Sequence, residues 1–225
     1  MLAEHKSVVE KCIDKLYVSI DGPRDIHDEI RGEGVFDIVT GNLKSLSGCR
    51  KIVMSVVTSK LACRLDEFLD EMNKIGIDEL YLQDMIGLTS AEVRDYKQWM
   101  KSAFNIDAVD INSWENNELE IFDTELLLEK TDIKKYGFKI SCKRHRRETD
   151  EYCMSSFRHA HIAWNGNVLY CTDFYDFSAG NVKENSLEEI FFNDMSEKYR
   201  EEIMSGKCAA CKNCSWREMR NYSEG

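Results

Sequence analysis

Proline is nearly missing from this chain of 225 residues: Pro23 is the single instance, and it falls in the turn Asp21-Gly22-Pro23. Helices and strands are therefore free of the residue that removes a backbone donor, and their ends must be set by other signals. Long apolar runs are missing as well. None approaches the roughly 20 residues of a bilayer-spanning helix, and the start Met1-Leu2-Ala3-Glu4-His5-Lys6 lacks the apolar core of a signal peptide. No membrane association is expected, and the cytoplasm is the expected compartment. Positive charge is scarce, since 30 Lys and Arg face 41 Asp and Glu for a formal net charge of −11. Such a chain repels phosphate backbones, so nucleic acid is not an expected partner. One cluster, Lys143-Arg144-His145-Arg146-Arg147, runs against the average and reads as a solvated loop or as a patch for an acidic partner. No internal repeat or low-complexity segment stands out.

What the chain has in quantity is cysteine. There are nine, and in a reducing compartment that number argues for metal or catalysis over disulfides. Hydrophobic residues make up 43% and charged residues 32%, the mix of a globular protein long enough to bury a core.

The first half alternates strand and helix signals. A helix is expected over residues 5–14 and a strand over Lys15–Ile20, which the proline turn stops, with a polar loop through Arg24–Gly32. Phe36, Val39, Leu43 and Leu46 recur at helical spacing, then Lys51–Thr58 is an almost continuous apolar run of the kind found in parallel sheets covered on both faces. Leu65, Phe68, Leu69, Met72 and Ile75 mark a second helix closed by Gly76, and Glu79–Gln83 a third strand. This is the grammar of a parallel α/β sheet or part of a barrel. Thr89 with Glu92 forms a capping box ahead of the next helix. A strand at Ala108–Ile111, a helix around 117–130 and a strand Lys139–Cys142 entering a second domain complete the reading. The division falls at about residue 135, giving domains 1–135 and 136–225.

In that second domain, Asn165-Gly166 is a two-residue hairpin turn between His161–Trp164 and Asn167–Cys171, and Gly180-Asn181-Val182 is a further turn. Ser186 with Glu189 caps a helix that runs to about Ser205. Five cysteines lie here: Cys153, Cys171, Cys208, Cys211 and Cys214. Thiolates two residues apart can face one metal from a single turn, and two more from a hairpin complete the four ligands of a zinc ion or an iron–sulfur cluster. Ligand type does not separate the two. Cys153, Cys171 and Cys211 are common to every selection, and Cys208 and Cys214 compete for the fourth place. Cys12, Cys49, Cys63 and Cys142 read as buried bystander thiols. His159 and His161 are expected to lie at the surface or to pack rather than ligate, and Trp164, Phe174, Tyr175 and Phe177 are expected to cover the centre.

The run Tyr17-Val18-Ser19-Ile20-Asp21-Gly22-Pro23, with His27-Asp28 and Ile30-Arg31-Gly32, resembles the fourth strand and following loop of radical S-adenosylmethionine enzymes of the SPASM subgroup. Cys153, Gly166-x4-Cys171, Gly180-Asn181-Val182, the start at Ser186 and the closing CxxC resemble that subgroup's auxiliary-cluster domain, in the family's order. The resemblance implies a partial (β/α) barrel followed by a small α+β domain with one auxiliary 4Fe-4S cluster. It implies an oxidoreductase or maturase acting on a peptide or small-molecule substrate in a full-length or complemented form that binds S-adenosylmethionine. The family's CxxxCxxC motif is found nowhere in this sequence. The resemblance therefore places the start of the chain in the barrel's third helix and leaves three accounts: truncation, a split enzyme or a degenerate binding module. It suggests Ser19 as a cofactor contact and Asp173 as a general base, each with a plain alternative as strand residue and turn cap. An N-terminal half, or a second copy meeting the sheet edge near Val18, is the expected macromolecular partner.

Overall fold

The computed structural model describes residues 4–85, 87–117, 124–142, 152–212 and 214. Contacts group them in two compact units that are not continuous in sequence: 4–85 with 124–142, and 87–117 with 152–212 and 214. The basic cluster 143–147 lies outside the described residues.

The first unit opens with α1 (Lys6–Cys12) and β1 (Lys15–Ser19). The segment expected as a polar loop is instead α2 (Arg24–Arg31), entered from Pro23. Its short stripe of Ile26 and His27 is buried, too few apolar residues to register as periodicity against Arg, Asp and Glu on the other faces. Asp28 then accepts from the backbone N–H groups of Gly34 and Phe36 at 3.0 and 2.8 Å, which starts α3 (Val35–Ser45). After α3 come β2 (Arg50–Val57), the short α4 (Ser59–Cys63), α5 (Leu65–Ile75) and β3 (Glu79–Asp84). The chain leaves for α6 (Ser90–Phe104) and returns with α7 (Thr124–Glu129) and β4 (Lys139–Cys142). Part of the helix expected at 117–130 lies outside the described residues.

All three strand pairings are parallel, in the order β1-β2-β3-β4. This is the partial (β/α) barrel, with each strand beside its predecessor. The strand Lys139–Cys142 joins this sheet, pairing with β3 from Glu79↔Lys139 to Leu82↔Cys142, rather than opening the next unit. Val53, Leu61, Phe68, Leu69, Met72, Leu80 and Leu82 have no exposed surface. They form the core between sheet and helices, worth about 1.5–3 kcal/mol for each fully buried side chain.

In the second unit, Thr89 and Glu92 form the expected capping box at the start of α6. Ala108–Ile111 is not a strand: Asp110–Trp114 is a 3-10 turn, because the Asp176 carboxylate takes the N–H groups of Val109, Asp110 and Ile111 at 2.6, 2.8 and 3.0 Å. Next come α8 (Ser155–Arg158) and a three-stranded antiparallel sheet of β5 (His161–Ile162), β6 (Asn167–Leu169) and β7 (Gly180–Asn181). The expected second turn thus begins as an edge strand. The expected single helix is two, α9 (Leu187–Phe191) and α10 (Asp194–Met204), since Asn193 accepts from Ser196 N–H at 2.8 Å and caps a new start. The final turn is α11 (Ala209–Lys212). Val93, Tyr96, Trp99 and Met100 of α6 pack in one core with Phe174, Phe177, Tyr199 and Ile203.

No helix among the described residues is long and apolar enough to cross a membrane.

Candidate metal centre

Two sulfurs are placed by one hydroxyl. Ser155, two residues after Cys153, donates to the carbonyl of Tyr170 at 2.7 Å, and Tyr170 precedes Cys171. The start of α8 is thereby pinned to the end of β6. Tyr170 is 2% exposed and its phenol donates to Ser196 on α10 at 2.7 Å. Arg200, one turn further along α10, donates to the carbonyls of Ser156 and Phe191 at 2.9 and 2.7 Å, with its guanidinium 4.3 Å from the Phe191 ring centroid. These fix α8, β6 and α10 around a common space.

Gly166 explains why the hairpin can form. Its φ is +95°, and a Cβ there would lie 2.6 Å from Asn181 Oδ1. The Asn181 amide donates to Asn165 O at 3.2 Å and Asn167 Oδ1 at 2.9 Å, so β7 is tied across the turn by a contact only glycine permits.

From the other side, α10 ends at Gly206 with φ +67°. Cys208 then acts as the acceptor for the Cys211 N–H at 3.3 Å, and the Cys208 and Cys211 Sγ atoms stand 2.6 Å apart. The result is a cavity of about 40 Å³ lined by Cys153, Cys171, Cys211 and Cys214 together with Ser156 and Tyr199. Cys208, 2% exposed, lies outside that lining. No three ligand-type side chains among the described residues close on a single point as one ion requires; the thiols surround a space.

The chemistry of the lining suits a thiolate-bound metal centre. Cys171 Sγ accepts from the N–H groups of Asp173 and Phe174 at 3.5 and 3.4 Å, the hydrogen bonds that stabilise sulfur carrying negative charge. Burial nevertheless pushes the Cys171 thiol up to about 12, with the neighbouring Cys211 and Asp173 adding to the rise. Tyr96 and Tyr199 are likewise raised by burial and then by the thiols around them. Several thiolates in so dry a pocket need a compensating cation, which iron or zinc supplies on displacing the protons.

The other candidates separate. Phe174 lies on the cavity wall, as expected of a cover, whereas Phe177 is buried in the core behind it but outside the lining. Trp164 and Tyr175 are 97% and 52% exposed and border a different, open groove with His161, Asn167 and Thr172. Trp164 rides the hairpin turn almost fully exposed and so does not cover the cavity. His159 and His161 lie 6.3 Å apart, outside the cavity lining. Asp173 is half-buried beside Cys171, and Ser19 is exposed at the last position of β1, in the first unit. Cys12 and Cys63 are exposed rather than buried, whereas Cys49 and Cys142 are half-buried.

Three residues escaped the sequence reading. Ser155 and Ser156 directly follow the Cys153 segment, a proximity that was the available signal. Asp176 gives none, because the N–H groups it caps are more than sixty residues away.

The pocket is ringed by thiols and closed by a CxxC turn. Residues 153–215 match the SPASM family, an iron–sulfur cluster-binding domain. Over 88% of its length the chain shares its fold with 49% of SuiB of Streptococcus suis, at 14% identity and TM-score 0.58. For SuiB bound to S-adenosylmethionine the values are 12% and 0.53 over 88% and 48%. For anSMEcpe with bound AdoMet and Kp18Cys peptide they are 17% and 0.53 over 99% and 65%. The chain therefore shares its fold with part of each of these structures, and it spans less than two thirds of the length of each. A comparison with curated proteins returns no match.

Proposed function

We propose that this chain carries one auxiliary 4Fe-4S cluster, as the C-terminal portion of a radical S-adenosylmethionine enzyme that acts on a peptide or small-molecule substrate. The observation that carries it is the cavity ringed by Cys153, Cys171, Cys211 and Cys214, inside a segment matching an iron–sulfur family. A space between thiols fits a cluster better than a single zinc ion, which draws its ligands to one point. When bound, such a cluster supplies a one-electron couple or an open iron site for substrate. The chain's own part is to hold the thiolates, donate N–H groups to Cys171 and keep water out with Tyr170, Phe174 and Tyr199.

The fourth ligand is Cys214, which faces the cavity, or Cys208, which touches Cys211. Anaerobic reconstitution with iron and sulfide should give a brown protein with about four of each. Alanine at Cys153, Cys171 or Cys211 should abolish loading, and of Cys208→Ala and Cys214→Ala only one should do so. A colourless protein holding stoichiometric zinc defeats the proposal.

The sequence contains no CxxxCxxC, which favours a chain that makes no 5′-deoxyadenosyl radical by itself. It also supports a second reading, a non-catalytic module in which the metal is structural and the sheet docks a partner. Reduced protein supplied with S-adenosylmethionine should release no 5′-deoxyadenosine; release would refute both the inactivity and the module.

A further inference from the structure

Four buried side-chain polar atoms find no hydrogen-bond partner among the described residues: His27 Nε2, Glu71 Oε2, Gln83 Oε1 and Ser156 Oγ. Three belong to the first unit. The fourth lines the cysteine cavity, on a residue only 2% exposed. The adjacent Ser155 hydroxyl has its acceptor in Tyr170 O at 2.7 Å, and the Ser156 carbonyl already accepts from Arg200 at 2.9 Å. Arg200 therefore holds the Ser156 backbone in place while its hydroxyl is left without an internal use. A buried donor without an acceptor is costly and is retained where something fills the gap.

We propose that Ser156 donates its hydroxyl proton to a sulfur of the centre bound in this cavity, and that this bond sets the reduction potential. The inference rests on the cluster reading above. Reduction adds negative charge to the sulfurs, and a donor aimed at them stabilises the reduced form more than the oxidised one. Two backbone N–H groups already reach Cys171, and the Ser156 hydroxyl is the side-chain counterpart. Ser156 is a positioning and tuning residue; it is not itself a ligand.

The test compares the full chain with Ser156→Ala after reconstitution with iron and sulfide, following the midpoint potential by redox titration monitored by EPR. The expected result is unchanged iron and sulfide content with a potential shifted to more negative values. Ser156→Thr, which keeps the hydroxyl, should stay near the parent, and Ser156→Val, of similar size without it, should follow Ser156→Ala. A fully loaded Ser156→Ala protein at the parent potential overturns the proposal. Should Ser156→Ala and Ser156→Val fail to load, loading of Ser156→Thr still supports the hydroxyl, and equal loss in all three overturns it. Failure of the parent to bind iron would instead defeat the cluster reading.

Discussion

His27 has no exposed surface, and its Nδ1 accepts the Asp21 N–H at 3.2 Å. The neutral ring therefore carries its proton on Nε2, in a pocket beside the Phe36 ring, whose centroid is 5.8 Å away. Burial lowers its pKa below the ordinary histidine value, and Arg31 acts in the same direction against Asp21 and Asp28. The unfolded chain then binds the proton more readily than the folded one, so the ring costs nothing above pH ~6.5 and destabilises increasingly as the pH falls below it. Urea midpoints should drop between pH 7 and pH 5, and His27→Gln, which keeps an acceptor but does not titrate, should flatten part of that drop. Equal slopes would refute the assignment. At this scale the cysteines were legible because a thiol declares its chemistry by its type and spacing. Ser156 was not, since a serine becomes a donor toward a centre only when its other acceptors are out of reach.

The hairpin of β5 and β6 rests on Gly166, and Gly166→Ala forces a side chain into a left-handed backbone and against Asn181. The expected cost is about 1–3 kcal/mol, visible as a lower thermal midpoint together with weaker iron loading, because Cys171 hangs from the same hairpin. A variant with unchanged midpoint would show that the turn relaxes freely. The 3-10 turn at Asp110–Trp114 depends on Asp176 in the same way. Asp176→Ala strips three N–H groups of their acceptor and should cost about 2 kcal/mol or more, whereas Asp176→Asn should recover part of it. Denaturant unfolding of the two variants checks the order. Elements announced by local signals, such as the capping boxes at Thr89 and Ser186, were legible in the sequence. Elements stabilised by a distant carboxylate or by only two buried side chains, such as the 3-10 turn and α2, were not.

Across the molecule, a cut near residue 135 is the natural inference from a linear pattern. The contacts instead place α6 among the aromatics of the cysteine-rich unit: Trp99 donates to Glu202 at 2.9 Å, and Tyr96 lies 5.6 Å from Phe174. An amphipathic helix shows which face it buries but not against what. Metal binding should act on that unit selectively. Hydrogen exchange after anaerobic reconstitution should slow at residues 152–174 and 199–212 and also along α6, while amides of β2 and β3 stay as they were; a chelator should reverse the change. Protection confined to the cysteine segments would show that α6 is not coupled to the centre.

By itself the sequence determined the alternation of strand and helix, the capped helix starts and the concentration of thiols near the C-terminus, because each of these depends on residues close together in the chain. Only the tertiary structure decided which thiols share a cavity, that the Ser156 hydroxyl finds no hydrogen-bond partner among the described residues, and that Trp164 lies outside while Tyr199 lines the wall. Those outcomes depend on which surfaces meet, and burial, unlike helical periodicity, is a property of the partner as much as of the residue.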